Sequence, residues 1–349
     1  MDTTNLLDLS IEELHETLAE LGEPRFRTGQ VFQWLWEKRC RNIEDMTNLS
    51  KALREKLAES AVISYPEIAE TAVSSDGTVK FLLRLKDGEL VETVLIPDEA
   101  YTTQCLSTQV GCTMACTFCS TGQMGFTRSM TQAEILGQIL VAQDYIQQDG
   151  SLPPLRNTVF MGMGEPLLNT DAVIRSLRIM TDPKAFGFST RKITVSSVGI
   201  PAGIQALGEA ALCRLAISLH APTQELREQI MPKAARMTPL DQLMDILDQY
   251  PLRPRERVTY EYILLRGVND RPEHARQLAK LLGNRKAKVN LIACNPAPGD
   301  PYEAPLPEDV LTFEKILWSR DITVILRKSR GQDIAAACGQ LKVQLEAQQ

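Results

Sequence analysis

Gly111-Cys112-Thr113-Met114-Ala115-Cys116-Thr117-Phe118-Cys119 is the stretch on which the fold turns, because it places three thiols within eight residues directly after a β-rich run, QCLSTQVG. A helical pattern over 131–148 follows it. The same alternation then recurs: NTVFMGM before 171–182, KITVSS before 200–210, CRLAISLH before 225–249, RVTYEYILL before 272–283 and KVNLIACN before 306–320. These are six βα units, closed by a last strand, DITVILRK, and a helical stretch from about residue 332. Right-handed crossovers in series imply a parallel sheet, and six of them fit a partial or closed α/β barrel better than a short open sheet. The thiols then sit where a parallel barrel builds its active site, beyond the C-terminal end of a strand.

The spacing CxxxCxxC carries chemistry of its own. Iron–sulfur clusters take thiolate ligands, and three cysteines leave one iron of a four-iron cluster open to a small molecule. A zinc site completed by His220 and a set of three buried thiols are the plainer alternatives, but the spacing matches neither usual zinc-knuckle pair. Other strand ends offer groups for a ligand held there. Phe160-Met161-Gly162-Met163-Gly164-Glu165-Pro166 supplies glycines that allow close backbone approach and an acid suited to an amine. Ser196, Ser218, Leu219, His220 and Asn295 also fall at or just after strand ends, with Ser197 adjoining the first of them. Cys338 lies among small residues, Ala335-Ala336-Ala337-Cys338-Gly339.

Around this core the chain divides into residues 1–65, 66–102, 103–330 and 331–349. Residues 1–65 read as a small helical module: Ser10 to Glu13 has the form of a capping box, Leu14, Leu18 and Leu21 recur at helical spacing, and 30–37 and 49–57 give two more helices. TVKFLLRLKDGELVETVLIP, 78–97, alternates around a Lys86-Asp87-Gly88-Glu89 turn, so 66–102 reads as a β-hairpin extension or linker. The chain of 349 residues carries a net charge of −6, which argues against a uniformly basic nucleic-acid coat. Arg25, Arg27, Lys38, Arg39 and Arg41 nevertheless cluster with Phe26, Phe32, Trp34 and Trp36, and further basic groups lie at 253–257 and 327–330, which suits a polyanionic partner. No apolar run reaches the length of a membrane span and no signal-like N-terminus is present, so a cytoplasmic location is expected. Eight cysteines at irregular spacing in such a chain indicate thiols or metal ligands rather than a disulfide framework, and three histidines leave little for a histidine-dependent triad.

The segment GCTMACTFCSTGQMGFTR resembles the RlmN branch of the RlmN/Cfr radical S-adenosylmethionine RNA methyltransferases, and the resemblance spans the chain from the helical N-terminus to RGQDIAAACGQL. It implies a [4Fe-4S] cluster on Cys112, Cys116 and Cys119, two S-adenosylmethionine molecules per turnover, and S-adenosylmethionine contacts at Gly164, Glu165, Ser196, Ser218, Leu219, His220 and Asn295. By the same resemblance Cys338 is a methyl carrier, Cys105 the thiol that releases product by forming a disulfide with it, and Glu92 the base that deprotonates the substrate carbon. The implied reaction methylates carbon 2 of adenine in 23S rRNA and beside the anticodon of some tRNAs. Carbon 2 lacks a lone pair and cannot displace a methyl from a sulfonium, which is why a 5′-deoxyadenosyl radical would act on methylated Cys338. The partners implied are 23S rRNA, tRNA and an electron donor such as a flavodoxin or ferredoxin system, with the chain a monomer. Methylation at carbon 8, or a non-catalytic iron–sulfur RNA-binding protein, are the competing readings. Cys40, Cys213 and Cys294 match none of these roles and are expected in the core.

Overall fold

A computed structural model describes residues 3–296 and 301–341. Its centre is a ten-stranded sheet. Seven strands run parallel in sequence order: Thr102–Cys105, Leu155–Phe160, Ile193–Ser197, Arg214–Ser218, Val258–Leu264, Ala287–Ala293 and Thr323–Arg327. Helices Gln132–Asp149, Thr170–Thr181, Pro201–Ala210, Pro272–Leu282 and Pro307–Trp318 form crossovers between them. Their starts follow local chemistry. Thr131 and Glu134 form a capping box, and the later three begin on proline, whose missing N–H costs nothing in a first turn. The 225–249 stretch is three helices, Gln224–Ile230, Pro232–Met237 and Leu240–Asp248, because Pro232 and Pro239 interrupt it.

Three expectations need correction. QCLSTQVG is not one strand: its first part ends in the barrel at Cys105, and Gln109–Gly111 pairs instead with Phe126–Ser129. The break is held by buried Gln138, whose side chain accepts from Ser107 N–H (2.9 Å) and donates to Ser107 O (2.8 Å). The 66–102 extension is a three-stranded antiparallel meander, Glu67–Val73, Val79–Arg84 and Leu90–Pro97, since a second tight turn at Asp76-Gly77 precedes the expected one. It adds to the barrel edge through Leu90–Pro97 against Thr102–Cys105. Finally, the described residues from 332 to 341 form no α-helix but one 3₁₀ turn, Gln332–Ile334, followed by irregular chain. Its backbone groups find partners outside it: Gly331 N–H donates to Asp76 (3.0 Å), Gly339 O accepts from Ser120 N–H (2.7 Å) and Leu341 O from Thr121 (2.6 Å). The expected helix beyond 341, and residues 297–300 of the Pro-rich loop, lie outside the described residues.

Helices Ile11–Glu20, Phe26–Trp36 and Lys51–Ser60 form the N-terminal module, the first opened by the Ser10/Glu13 capping box. It packs on the barrel's outer helices. Arg175 grips Glu13 (2.5 and 2.9 Å) and Asp8 O, while Gln132 donates to Leu7 O (2.7 Å). Arg39 and Arg41 both bind Asp144 (2.9 and 2.7 Å), and buried Trp36 meets Phe186. Part of the basic, aromatic segment expected to face a polyanion is therefore spent on docking the module; Arg25, Phe26 and Lys38 remain exposed. No helix among the described residues is long and apolar enough to cross a membrane.

Candidate active site

A cavity of about 150 Å³ opens at the C-terminal end of the parallel strands. Cys112, Cys116 and Cys119 line it together with Gly164, Glu165, Ser196, Ser218, His220 and Cys338. The thiol loop is fixed by its backbone. Gly111 has φ of 75° and a Cβ there would lie 2.1 Å from Gly125 O, so only glycine fits. Cys112 N–H donates to Gly125 O (2.6 Å), Cys119 N–H to Cys116 O (3.1 Å) and Thr117 N–H to Ile230 O (3.0 Å).

Burial pushes the Cys112 thiol up to about 12 and Cys116 well above the ordinary range. Thiols buried in this way can be held as thiolates only beside concentrated positive charge, which iron would supply. One protein cation is already there: Arg227 is fully buried, bound to Val198 O (2.5 Å) and Thr238 O (2.9 Å), with the Cys116 charge close by. Among the described residues no three His, Cys, Asp or Glu side chains close on one ion. A four-iron cluster does not need them to, since each thiolate binds a different iron.

Gly164, at φ of 96°, packs on Gln109, whose Oε1 accepts from Glu165 N–H (2.9 Å). The Glu165 carboxylate accepts from Leu167 N–H (3.0 Å) and Val198 N–H (2.9 Å), and burial raises its pKa to about 7. Ser196 rather than Ser197 faces the cavity. Its Oγ lies 3.3 Å from Ser218 Oγ, whereas Ser197 Oγ accepts from Gly199 N–H (3.0 Å). His220 is both a packed residue and a wall of the cavity: Nδ1 accepts from Ile263 N–H (3.0 Å), so the proton is on Nε2, and burial lowers its pKa to about 3.

Leu219 and Asn295 do not line the cavity. Leu219 is fully buried and donates its N–H to Glu261 O (3.1 Å), and Asn295 O accepts from Gln340 (3.0 Å). Cys105 and Glu92 are also behind the wall. Cys105 pairs with Val94 across the strand boundary, which puts it on the face that Glu92 shares. Burial, then the nearby Cys338 charge, raises the Cys105 thiol. Glu92 is buried in an ion pair with Lys80 (2.9 Å), and Lys80 reaches on to Ala335 O (3.5 Å). Cys338 opens to solvent through the cavity mouth, while the surrounding protein and then the Glu261 charge push its thiol up. No disulfide joins any of the eight cysteines, and Cys40, Cys213 and Cys294 are buried as expected.

Sequence reasoning missed Glu261 and Arg227. The signal for the first was an acid inside VTYEYIL, a strand whose seven residues are all buried.

The profile of the ribosomal RNA large subunit methyltransferase N-terminal domain matches residues 4–63, and that of the radical SAM superfamily matches 106–279. A dual-specificity RNA methyltransferase RlmN from Nitratidesulfovibrio vulgaris strain DP4 is 59% identical over 346 residues, with 97% of this chain and 95% of that protein covered. The chain belongs to the RlmN family. Another RlmN, from Solidesulfovibrio magneticus, is 55% identical across 99% of this chain and 98% of its own length. The crystal structure of a radical SAM methyltransferase from Sphaerobacter thermophilus superposes with a TM-score of 0.91 at 40% identity, covering 97% and 99% of the two chains. As an RlmN-family chain this is a radical S-adenosylmethionine RNA methyltransferase, and its cofactors are a [4Fe-4S] cluster and S-adenosylmethionine.

Proposed function

We propose that the enzyme methylates carbon 2 of adenine in 23S rRNA and in tRNA beside the anticodon, with Cys338 as methyl carrier. The observation that supports this most is the meeting of Cys338 and the three CxxxCxxC thiols in one cavity, with buried Cys105 near enough for the Cys338 charge to reach it. When bound, the cluster and S-adenosylmethionine supply a methyl group and a one-electron route to a carbon radical. The protein does the rest. Cys112, Cys116 and Cys119 hold the cluster; Gly164, Glu165, Ser196, Ser218 and His220 orient S-adenosylmethionine, with Leu219 and Asn295 contributing from behind the wall. His220 offers Nε2–H as a donor, and its burial favours the neutral ring. Glu92, steadied by Lys80, takes the proton from the substrate carbon, and Cys105 forms the disulfide that releases product.

Exposed Arg25, Phe26 and Lys38 of the N-terminal module contact RNA by charge and stacking. Electrons come from a flavodoxin or ferredoxin system, and the enzyme works as a cytoplasmic monomer. Chromatography and mass spectrometry of nucleosides from methylated RNA test the regiochemistry. We expect 2-methyladenosine; 8-methyladenosine would overturn it.

A further inference from the structure

Glu261 sits mid-strand, yet it faces the cavity that holds Cys338. The register puts Ser218, Glu261 and Asn290 in one row across three strands on the inner face of the barrel. Asn290 donates through Nδ2 to Glu261 Oε1 (2.8 Å), and its own Oδ1 is buried without a hydrogen-bond partner among the described residues. An amide can serve either state of a carboxyl: its NH₂ donates to the carboxylate, and after a flip its carbonyl accepts from the acid.

Methylation of Cys338 requires its proton to leave. The acceptors nearest to hand are side chains that line the same cavity. His220 Nδ1 is taken by Ile263 N–H. Both Glu165 oxygens are bound by backbone N–H groups, and Glu92, paired with Lys80, does not line the cavity and is assigned to the later proton of the substrate carbon. Besides Glu261, groups whose charge reaches Cys338 include Arg327 and Cys119, and Cys338 in turn acts on Cys105; those reaching Glu261 include Arg327 and Lys288. None of the cations can take a proton, Cys119 is a cluster ligand, and Cys105 is itself a thiol.

We infer that Glu261 is the proton acceptor for methylation of Cys338, with Asn290 as its positioning partner; this rests on the carrier reading above. The Cys338 S–H bond breaks and its proton passes to Glu261. The sulfur electron pair forms the new S–CH₃ bond, and the methyl–sulfonium bond breaks with its pair retained on the departing S-adenosylhomocysteine. Nothing is oxidised or reduced. Glu261 returns the proton to water once the cavity empties.

The test uses the full-length, cluster-loaded protein with S-adenosylmethionine, without RNA or reductant, and follows Cys338 methylation by peptide mass spectrometry. Iron content, S-adenosylmethionine binding and alkylation of Cys338 by iodoacetamide are measured on the same preparations. Glu261→Gln should slow methylation about a hundredfold or more, with iron and S-adenosylmethionine binding kept. Iodoacetamide alkylation, in an open cavity where water takes the proton, should be as fast as in wild type or faster, because a neighbouring negative charge is gone. Glu261→Asp should keep part of the methylation rate. Wild-type methylation in Glu261→Gln would overturn the inference, as would loss of iron or of S-adenosylmethionine binding in both variants, which would assign Glu261 to the scaffold. Failure of wild-type Cys338 to be methylated at all would instead overturn the carrier reading, and this inference with it.

Discussion

His220 and Gly164 show how individual residues carry the site. His220 has a folded pKa of about 3 against an ordinary 6.5, so the stability it contributes is complete above pH 6.5 and is lost as pH falls through 3. Thermal melts of His220→Gln should decline less steeply than wild type over that window. Gly164→Ala would place a Cβ 2.5 Å from Gln109 Cβ at a positive φ. It should destabilise the protein by about 1–3 kcal/mol and lower its S-adenosylmethionine binding, as read by thermal unfolding and ligand titration. Cys112, Cys116 and Cys119 were legible because their spacing is local. Glu261 was not: which face a residue of VTYEYIL presents depends on the strands beside it. Arg227 was hidden likewise, since a helical arginine reads as solvated until Val198 O and Thr238 O are seen to enclose it.

Among elements, the C-terminal segment departs furthest from its sequence pattern. It is clasped to the meander by Asp76 on Gly331 N–H and by Asp333 on Ser74 Oγ (2.5 Å) and Ser75 N–H (3.0 Å). Burial works against the Asp76 charge, but hydrogen bonds from Thr78 and Gly331 still hold its carboxyl at about 2. Asp76→Ala should cost about 1–3 kcal/mol locally and speed hydrogen exchange at 331–341, with little change in the barrel. A run of alanines favours helix by propensity; here long-range partners outweigh it. The Arg175–Glu13 contact that docks the N-terminal module is partly exposed, so Arg175→Met should cost only about 0.2–1 kcal/mol in unfolding experiments. The bond to Arg175 lowers the Glu13 pKa from 4.5 to about 2, so this contribution is present above pH 4.5 and fades as pH falls through 2.

At the scale of the whole molecule, six βα units were readable from periodicity, and the seventh parallel strand closes the series without making the sheet a full ring. The meander was only half readable because one of its two turns carries the weaker signal, Asp76-Gly77 without flanking alternation on its N-terminal side. Its role becomes visible in three dimensions: it carries Glu92 and anchors the segment bearing Cys338, so both lie on the same side of the barrel as Cys105. Every later step depends on the methyl group reaching RNA through Cys338. Its most direct test is methyl incorporation into RNA from isotopically labelled S-adenosylmethionine by Cys338→Ala protein with its cluster intact. We expect no incorporation above background; incorporation at the wild-type rate would show that Cys338 is not the carrier.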